Sequence, residues 1–176
     1  LYVAYHDQEW GVPVTDDRGQ FEFLVLETFQ AGLSWITVLR KREYFREAFD
    51  QFDFEKVARY DERKIESLMQ NERIIRNGAK IRAAVTNAQA FIRIREEFGS
   101  FSKYIWGFTG GKPILNKHRS LSDVPPVSAE SDALSKDLKK RGFKFVGSTV
   151  IYAHMQATGM VNDHLVSCFR YREVQG

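Results

Sequence analysis

The stretch Phe21 to Leu39, FEFLVLETFQAGLSWITVL, decides the fold. Wound as a helix at about 100° per residue, Phe21, Phe23, Leu24, Val25, Leu26 and Phe29 point almost all the way round. A helix apolar on nearly every side belongs at the centre of a protein. Glu27 nevertheless lies inside it, one turn from Phe23, Leu24 and Ala31. A carboxylate in such company is costly unless it is paired, protonated or reserved for a ligand. Two readings stand: Glu27 pairs with an arginine from elsewhere beside a Trp35 of ordinary core, or it is kept for chemistry or recognition. Gly32 ends the helix, and Ser34 can cap the next one, which opens with Trp35. The turn Ala31-Gly32-Leu33-Ser34 thus sets a bare apolar tip and a large aromatic near the acid.

Outward from this stretch the pattern is helical. Leu1 to Val14 is aromatic-rich and closed by Gly11 and Pro13, which predicts turns and a short helix. Thr15, Asp16 and Asp17 are cap candidates for the central helix. A second helix is expected from Ser34 to about Phe49, with a basic face at Arg40, Lys41 and Arg42. Asp53 and Asp61 cap short helices through Tyr60 and about Gln70, and Asn77-Gly78 signals a turn. Ala79 to Phe98 is a long amphipathic helix ended by Gly99, followed by a short aromatic helix from Phe101 to Phe108. Gly110 to Pro126, with three prolines, is an irregular surface connection. Ser131 or Asp132 then starts a helix to Arg141, Phe143 to Gly147 is a tight hairpin, and Ser148 caps a helix to about Thr158. A last helix from Asn162 or Asp163 carries His164 and Cys168. No period-2 run is long enough for a strand and no repeat is present, so the class is all-α.

The 176 residues fit one domain spanning 1–176, or two small helical lobes sharing a core. A hydrophobic fraction of 43% with 14 Phe supports a large core and excludes global disorder. No apolar run is long enough to span a membrane and no secretory segment is seen. Cys168, the single cysteine, excludes an internal disulfide framework. A cytoplasmic monomer is expected, and no protein partner is evident. The net charge of +3 and pI near 9.0 permit a polyanionic partner without demanding one. Because the chain opens mid-pattern at Leu1, a short preceding segment is expected.

Three constellations can carry chemistry. In the first, the hairpin between two helices leaves the N–H groups of Val146, Gly147 and Ser148 free at a helix N-terminus, which suits a phosphate oxygen. Lys136, Lys139, Lys140, Arg141 and Lys144 crowd the same end; the alternative is a solvated basic face before a plain turn. In the second, His164 and Cys168 are spaced i, i+4 on one helix face, where a Zn²⁺ could take both, with His6 as a candidate third ligand. A His/Cys pair that merely packs is the competing reading, and His118 and His154 are read as structural or surface. The third is the aromatic set Tyr2, Tyr5, Trp10 and Trp35 with Glu27 and Gln30. It makes a pocket for a flat, cationic or hydrogen-bonding heterocycle, or else simply fills the core.

Taken together, these residues resemble one family. YHDQEWGVP at Tyr5 to Pro13, LETFQAGLSWITVLRKRE at Leu26 to Glu43, and SDALSKDLKKRGFKFVGSTVIYAHMQATGMVNDH at Ser131 to His164 are similar to 3-methyladenine DNA glycosylase I. IIRNGAKIRAAVTNA at Ile74 to Ala88 and SLSDVP at Ser120 to Pro125 fall in order between them. The resemblance covers essentially the whole chain. It implies an all-α fold of the helix–hairpin–helix glycosylase superfamily. The implied activity is a monofunctional glycosylase that hydrolytically removes 3-methyladenine from double-stranded alkylated DNA in base excision repair.

The resemblance also implies roles. The acid matching Glu27 and the tyrosine matching Tyr5 recognise the methylated base, Trp35 and Tyr2 line the pocket, and Gln30 belongs with them. The resemblance implies DNA held by Phe143 to Ser148, which include Lys144, Val146, Gly147 and Ser148; position alone, and not the resemblance, adds Lys140 to the backbone contacts and makes Leu33 the wedge that fills the gap in the DNA stack. The family ties its termini with a structural zinc held by Cys, His, His and Cys. His6, His164 and Cys168 match three ligands, and the first cysteine is expected upstream of Leu1. Many superfamily relatives place an Asp after the second hairpin helix; the register puts Asn162 there, so Asp163 is not assigned as catalytic. Lys144 lies within the hairpin, so no lysine nucleophile is evident. A non-enzymatic DNA-damage binder and a zinc-stapled structural protein are the competing classes. Glu27 in an aromatic cage favours the enzyme, because a phosphate grip has no use for a buried acid.

Overall fold

Residues 1–176 are described by a computed structural model with ten α-helices and one pair of two-residue strands. The first helix, α1 (Tyr2–Gln8), buries only Tyr5. In α2 (Asp17–Gln30) the Asp16 carboxylate accepts the Gly19 N–H as an N-cap, and nine of the fourteen residues are buried, which makes this the central helix. Gly32, at φ +81°, turns the chain into α3 (Trp35–Ala48). Ser34 holds the cap position there, but its hydroxyl bonds the Thr37 hydroxyl and not a backbone N–H. Asp53 and Asp61 cap α4 (Phe54–Val57) and α5 (Glu62–Met69) as the sequence predicts. Asn77, expected in a turn, is instead the N-cap of α6 (Gly78–Phe98), accepting the Lys80 N–H.

α7 (Phe101–Trp106) owes its start to a distant residue. The Asp17 carboxylate accepts the N–H groups of Phe101 and Ser102 at 3.0 and 2.8 Å and also takes Arg95 Nε at 2.8 Å. The irregular connection contains β1 (Ile114–Leu115). α8 (Ala129–Lys140) begins earlier than expected. Ser128 is its cap, and the Ser131 hydroxyl reaches back to the Ser128 N–H in a reciprocal box. Gly147, not Ser148, caps α9 (Ser148–Ala157).

The helix expected to carry His164 and Cys168 is not there. Val161–Asn162 is β2, paired in parallel with β1 so that Ile114 faces Val161 and Leu115 faces Asn162. Asn162 then spends its amide on the Tyr171 carbonyl and the His164 N–H. This backbone pairing and side-chain clasp hold the following residues in turns, and the last helix, α10 (Arg170–Glu173), starts only after Cys168. No helix is long and apolar enough to cross a membrane.

Phenylalanines dominate the main core of 34 buried residues. Phe91 stacks on Phe101 at 4.1 Å and meets Phe21 edge-on at 5.3 Å, while Phe29 lies 4.8 Å from Phe45. Two buried cations hold the central helix. Lys80 Nζ donates to the Phe29 and Ala31 carbonyls, closing the C-terminus of α2. Arg42, expected on a basic face, is buried: it forks onto both oxygens of Glu9 at 2.7 and 2.6 Å and reaches Glu22 at 2.9 Å.

Candidate active site

α1, α2, α3 and α9 enclose a cavity of about 620 Å³, with the chain after β2 and Leu121 and Val124 of the irregular connection completing its wall. Glu27 reaches it from the middle of α2. It is 4% exposed and accepts no hydrogen bond, and burial pushes its carboxyl up to about 8. The expectation of a hidden arginine partner fails, because Arg42 is taken by Glu9 and Glu22. Tyr5 and Trp35 stack obliquely at 5.3 Å in the same wall. The Tyr5 hydroxyl and the Trp35 indole N–H are buried with no partner. Burial, then the nearness of Glu27, drives the Tyr5 hydroxyl well above its ordinary pKa. Buried polar groups are normally satisfied, and two unsatisfied ones lining one cavity with an unpaired carboxyl mark a place for a hydrogen-bonding ring.

The other sequence-predicted pocket residues stand at its edge. Tyr2 is half-exposed, and Gln30 is half-buried with its Nε2 donating to the Leu33 carbonyl at 2.9 Å. That bond fixes the turn whose tip, Leu33, stays exposed.

Three candidate metal ligands meet beside the cavity. His6 Nε2 and His164 Nδ1 each lie 3.8 Å from Cys168 Sγ, and all three atoms fall within 4.8 Å of one another. The far nitrogen of each ring is engaged, His6 Nδ1 with Asp7 at 2.7 Å and His164 Nε2 with the Trp10 carbonyl at 2.8 Å. Such outer bonds fix ring orientation at metal sites and leave the near nitrogens facing the thiol. Zinc bond lengths of roughly 2.0–2.3 Å put tetrahedral ligands about 3.5 Å apart, close to the two 3.8 Å distances from Cys168 Sγ. Gly11 is required here, since a Cβ on it would stand 2.9 Å from His164 Nε2. The i, i+4 spacing therefore brings His164 and Cys168 together through a turn, not a helix.

At the other end of α9, Val146 and Gly147 have N–H groups that no protein acceptor takes, and Ser148 opens the helix. Lys140 and Lys144 are exposed nearby. Arg141 is not free, being bound to Glu97 and Asp137, and the Ser148 hydroxyl donates to Asp132. Asn87, which sequence reasoning missed, clasps the hairpin from α6. Its amide takes both the N–H and the carbonyl of Lys144. Phe145 sits exposed at the tip with φ +57°, an uncommon conformation for a bulky side chain.

Asp163 was also missed as a pocket residue. It accepts from Tyr152 Oη at 2.5 Å, Asn116 Nδ2 at 2.7 Å, Gln156 Nε2 at 2.9 Å and His118 Nε2 at 2.9 Å. Burial would raise its carboxyl, but these bonds outweigh it and hold the group below the usual range. His118 is thereby structural, as expected. So is His154, fully buried on Gln20 at 2.7 Å, with burial pushing its pKa down to about 3.

Comparison with known proteins agrees with this geometry. Residues 1–171 match the model of a family described as methyladenine glycosylase. The chain is 51% identical over 171 residues to DNA-3-methyladenine glycosylase 1 of Escherichia coli, covering 97% of this chain and 91% of that one. It is 50% identical over 168 residues to DNA-3-methyladenine glycosylase of Haemophilus influenzae, covering 96% and 91%. A crystal structure of a 3-methyladenine DNA glycosylase I variant in complex with 3-methyladenine superposes with a TM-score of 0.93. It is 39% identical, with 96% of this chain and 90% of that chain covered.

The unpaired Glu27 makes stability depend on pH. The unfolded carboxyl ionises near its ordinary 4.5 and the folded one near 8, so between these values the folded state binds more protons. Stability contributed by this group is fully present below 4.5 and is lost as pH rises through 8, a swing of at most roughly 5 kcal/mol. Urea denaturation at several pH values is expected to show this loss in wild type. Glu27→Gln should lack that component and be the more stable protein at pH 8.5.

Proposed function

The chain belongs to the methyladenine glycosylase family, and from that premise we infer that it is a DNA-3-methyladenine glycosylase that hydrolytically releases 3-methyladenine from alkylated duplex DNA. The observation that carries this reading is Glu27, a buried acid with no cation of its own beside two unpartnered aromatic hydrogen-bonding groups. Adenine methylated at its third position and still joined to its sugar is a cation. In a dry cavity, an unpaired carboxylate favours that cation over neutral adenine by several kcal/mol before desolvation is counted. Tyr5 and Trp35 supply planes and hydrogen bonds to the ring, with Tyr2 and Gln30 at the mouth.

The base reaches the cavity only outside the stack. Leu33, exposed on a turn braced by Gln30, would occupy the vacated space, and the N–H groups of Val146, Gly147 and Ser148 would hold a backbone phosphate as a helix–hairpin–helix grip. Lys140 and Lys144 add sequence-independent attraction. Once flipped, the base is a good leaving group, because departure turns it neutral. Glu27 holds it while water adds to the sugar.

His6, His164 and Cys168 fit three positions of a closed zinc site. A zinc ion there would supply a crosslink and no reaction chemistry, since a closed tetrahedral site has no open position for water. It would join residues 162 apart in the chain.

Base release from methylated duplex is the deciding assay. Because Glu27 keeps its proton near neutrality in the empty cavity, capture of a fixed cation expels it. The kcat/KM of wild type should therefore rise with pH, up to about tenfold per unit, and level off near 8. Glu27→Gln should fold, lose that rise and bind the base on the order of 1–3 kcal/mol more weakly; a variant that releases base like wild type makes Glu27 merely structural. Lys144→Ala should weaken methylated and plain duplex alike and lower the salt slope by about 1. Chelation should drop the melting temperature by on the order of 10 °C while leaving release intact at moderate temperature. Folded, metal-free protein that releases nothing would contradict the crosslink role.

A further inference from the structure

With Glu27, Tyr5 and Trp35 given to the base, the lining of the cavity still holds an acceptor with no assigned use. Gln156 lies on α9 and lines the cavity together with Ala153 one turn before it and Asp163 behind it. Its Nε2 donates to Asp163 Oδ2 at 2.9 Å. Asp163 takes side-chain donors from four directions, so the amide of Gln156 has to present its NH₂ group there. Gln156 Oε1 is thereby turned away from Asp163, and no protein donor reaches it. A carboxylate bound to the NH₂ end polarises the amide and makes that oxygen a better acceptor. Asp163 cannot take this part itself, because its side chain is wholly enclosed and its oxygens are saturated. The free amide oxygen of Gln30 differs: its anchor is the neutral Leu33 carbonyl, in an exposed turn.

We propose that Gln156 is a catalytic residue whose Oε1 accepts a hydrogen bond from the water that attacks the sugar, and that Asp163 is the positioning residue that holds it. The inference rests on the glycosylase reading and adds the water site to it. As the water oxygen bonds to the anomeric carbon, the glycosidic bond breaks and its electron pair goes to the base, which leaves neutral. The surplus proton of the water passes to solvent. Gln156 keeps no proton; it turns a lone pair of the water toward the sugar.

Single-turnover release of 3-methyladenine from methylated duplex, and the affinity for free 3-methyladenine, are to be measured with thermal melts. Gln156→Met, nearly equal in volume, should lower the release rate by about 10- to 100-fold and leave free-base affinity within about twofold. Asp163→Asn should lower the rate less, and adding it to Gln156→Met should lower the rate no further, as expected if it acts through Gln156. An unchanged rate in Gln156→Met overturns the proposal. So does a parallel loss of free-base affinity, which would make Gln156 a base contact. Additive effects in the double variant would remove Asp163 from the positioning role. If Asp163→Asn does not fold, Gln156→Met alone decides the catalytic assignment. Wild type that releases no base would strike the glycosylase reading itself, whereas normal wild-type release with unaffected Gln156→Met strikes only this inference.

Discussion

A carboxyl group buried with no cation beside it raises the free energy of its own fold, so everything around Glu27 has to hold the helix that carries it. α2 is gripped along its length. Asp16 caps one end and Lys80 closes the other. Phe21 and Phe29 lock into aromatic neighbours from α6 and α3. Arg42 draws α1 and α3 onto Glu22. Together these contacts set an unpaired acid against two aromatic rings and keep it there.

The cations follow the same logic by being spent elsewhere. Arg42, Arg95 and Arg141 all have carboxylate partners, and Lys80 is absorbed by backbone carbonyls. A guanidinium free to swing into the cavity would neutralise Glu27 and remove the preference for a cationic base. Around the hairpin, Lys140 and Lys144 stay exposed and without carboxylate partners, where phosphates and not bases are met.

Much of this was legible in the sequence, for identifiable reasons. The all-round apolar pattern of α2, the stop at Gly32 and the acid within it are local features, so the central helix and the pocket acid could be read together. The long amphipathic α6 and its end at Gly99 were equally plain. What escaped were long-range partnerships. That Arg42 would turn inward to Glu9 and Glu22, or that Asn87 would clasp Lys144, depends on residues 20 to 57 positions away that no periodicity marks. Asp163 carries no sequence signal of its own, because Asn162 occupies the expected register, yet four side chains converge on it. The helix drawn through His164 and Cys168 was wrong because a turn also brings i and i+4 together, and the β-pair that imposes it is only two residues long. Ser128 is hard to read as a cap because its box is closed by Ser131, where Glu or Gln is the usual signal.

Asp17 has a bearing on how the chain acquires its structure. At six residues, α7 is far below the roughly 12–15 at which a helix persists alone, and two of its first N–H groups find their acceptor 84 and 85 positions away. It therefore forms only when the start of α2 has docked against the end of α6, so this corner assembles as one cooperative unit of high contact order. The aromatic helix under the core closes late, behind the helix that carries the acid.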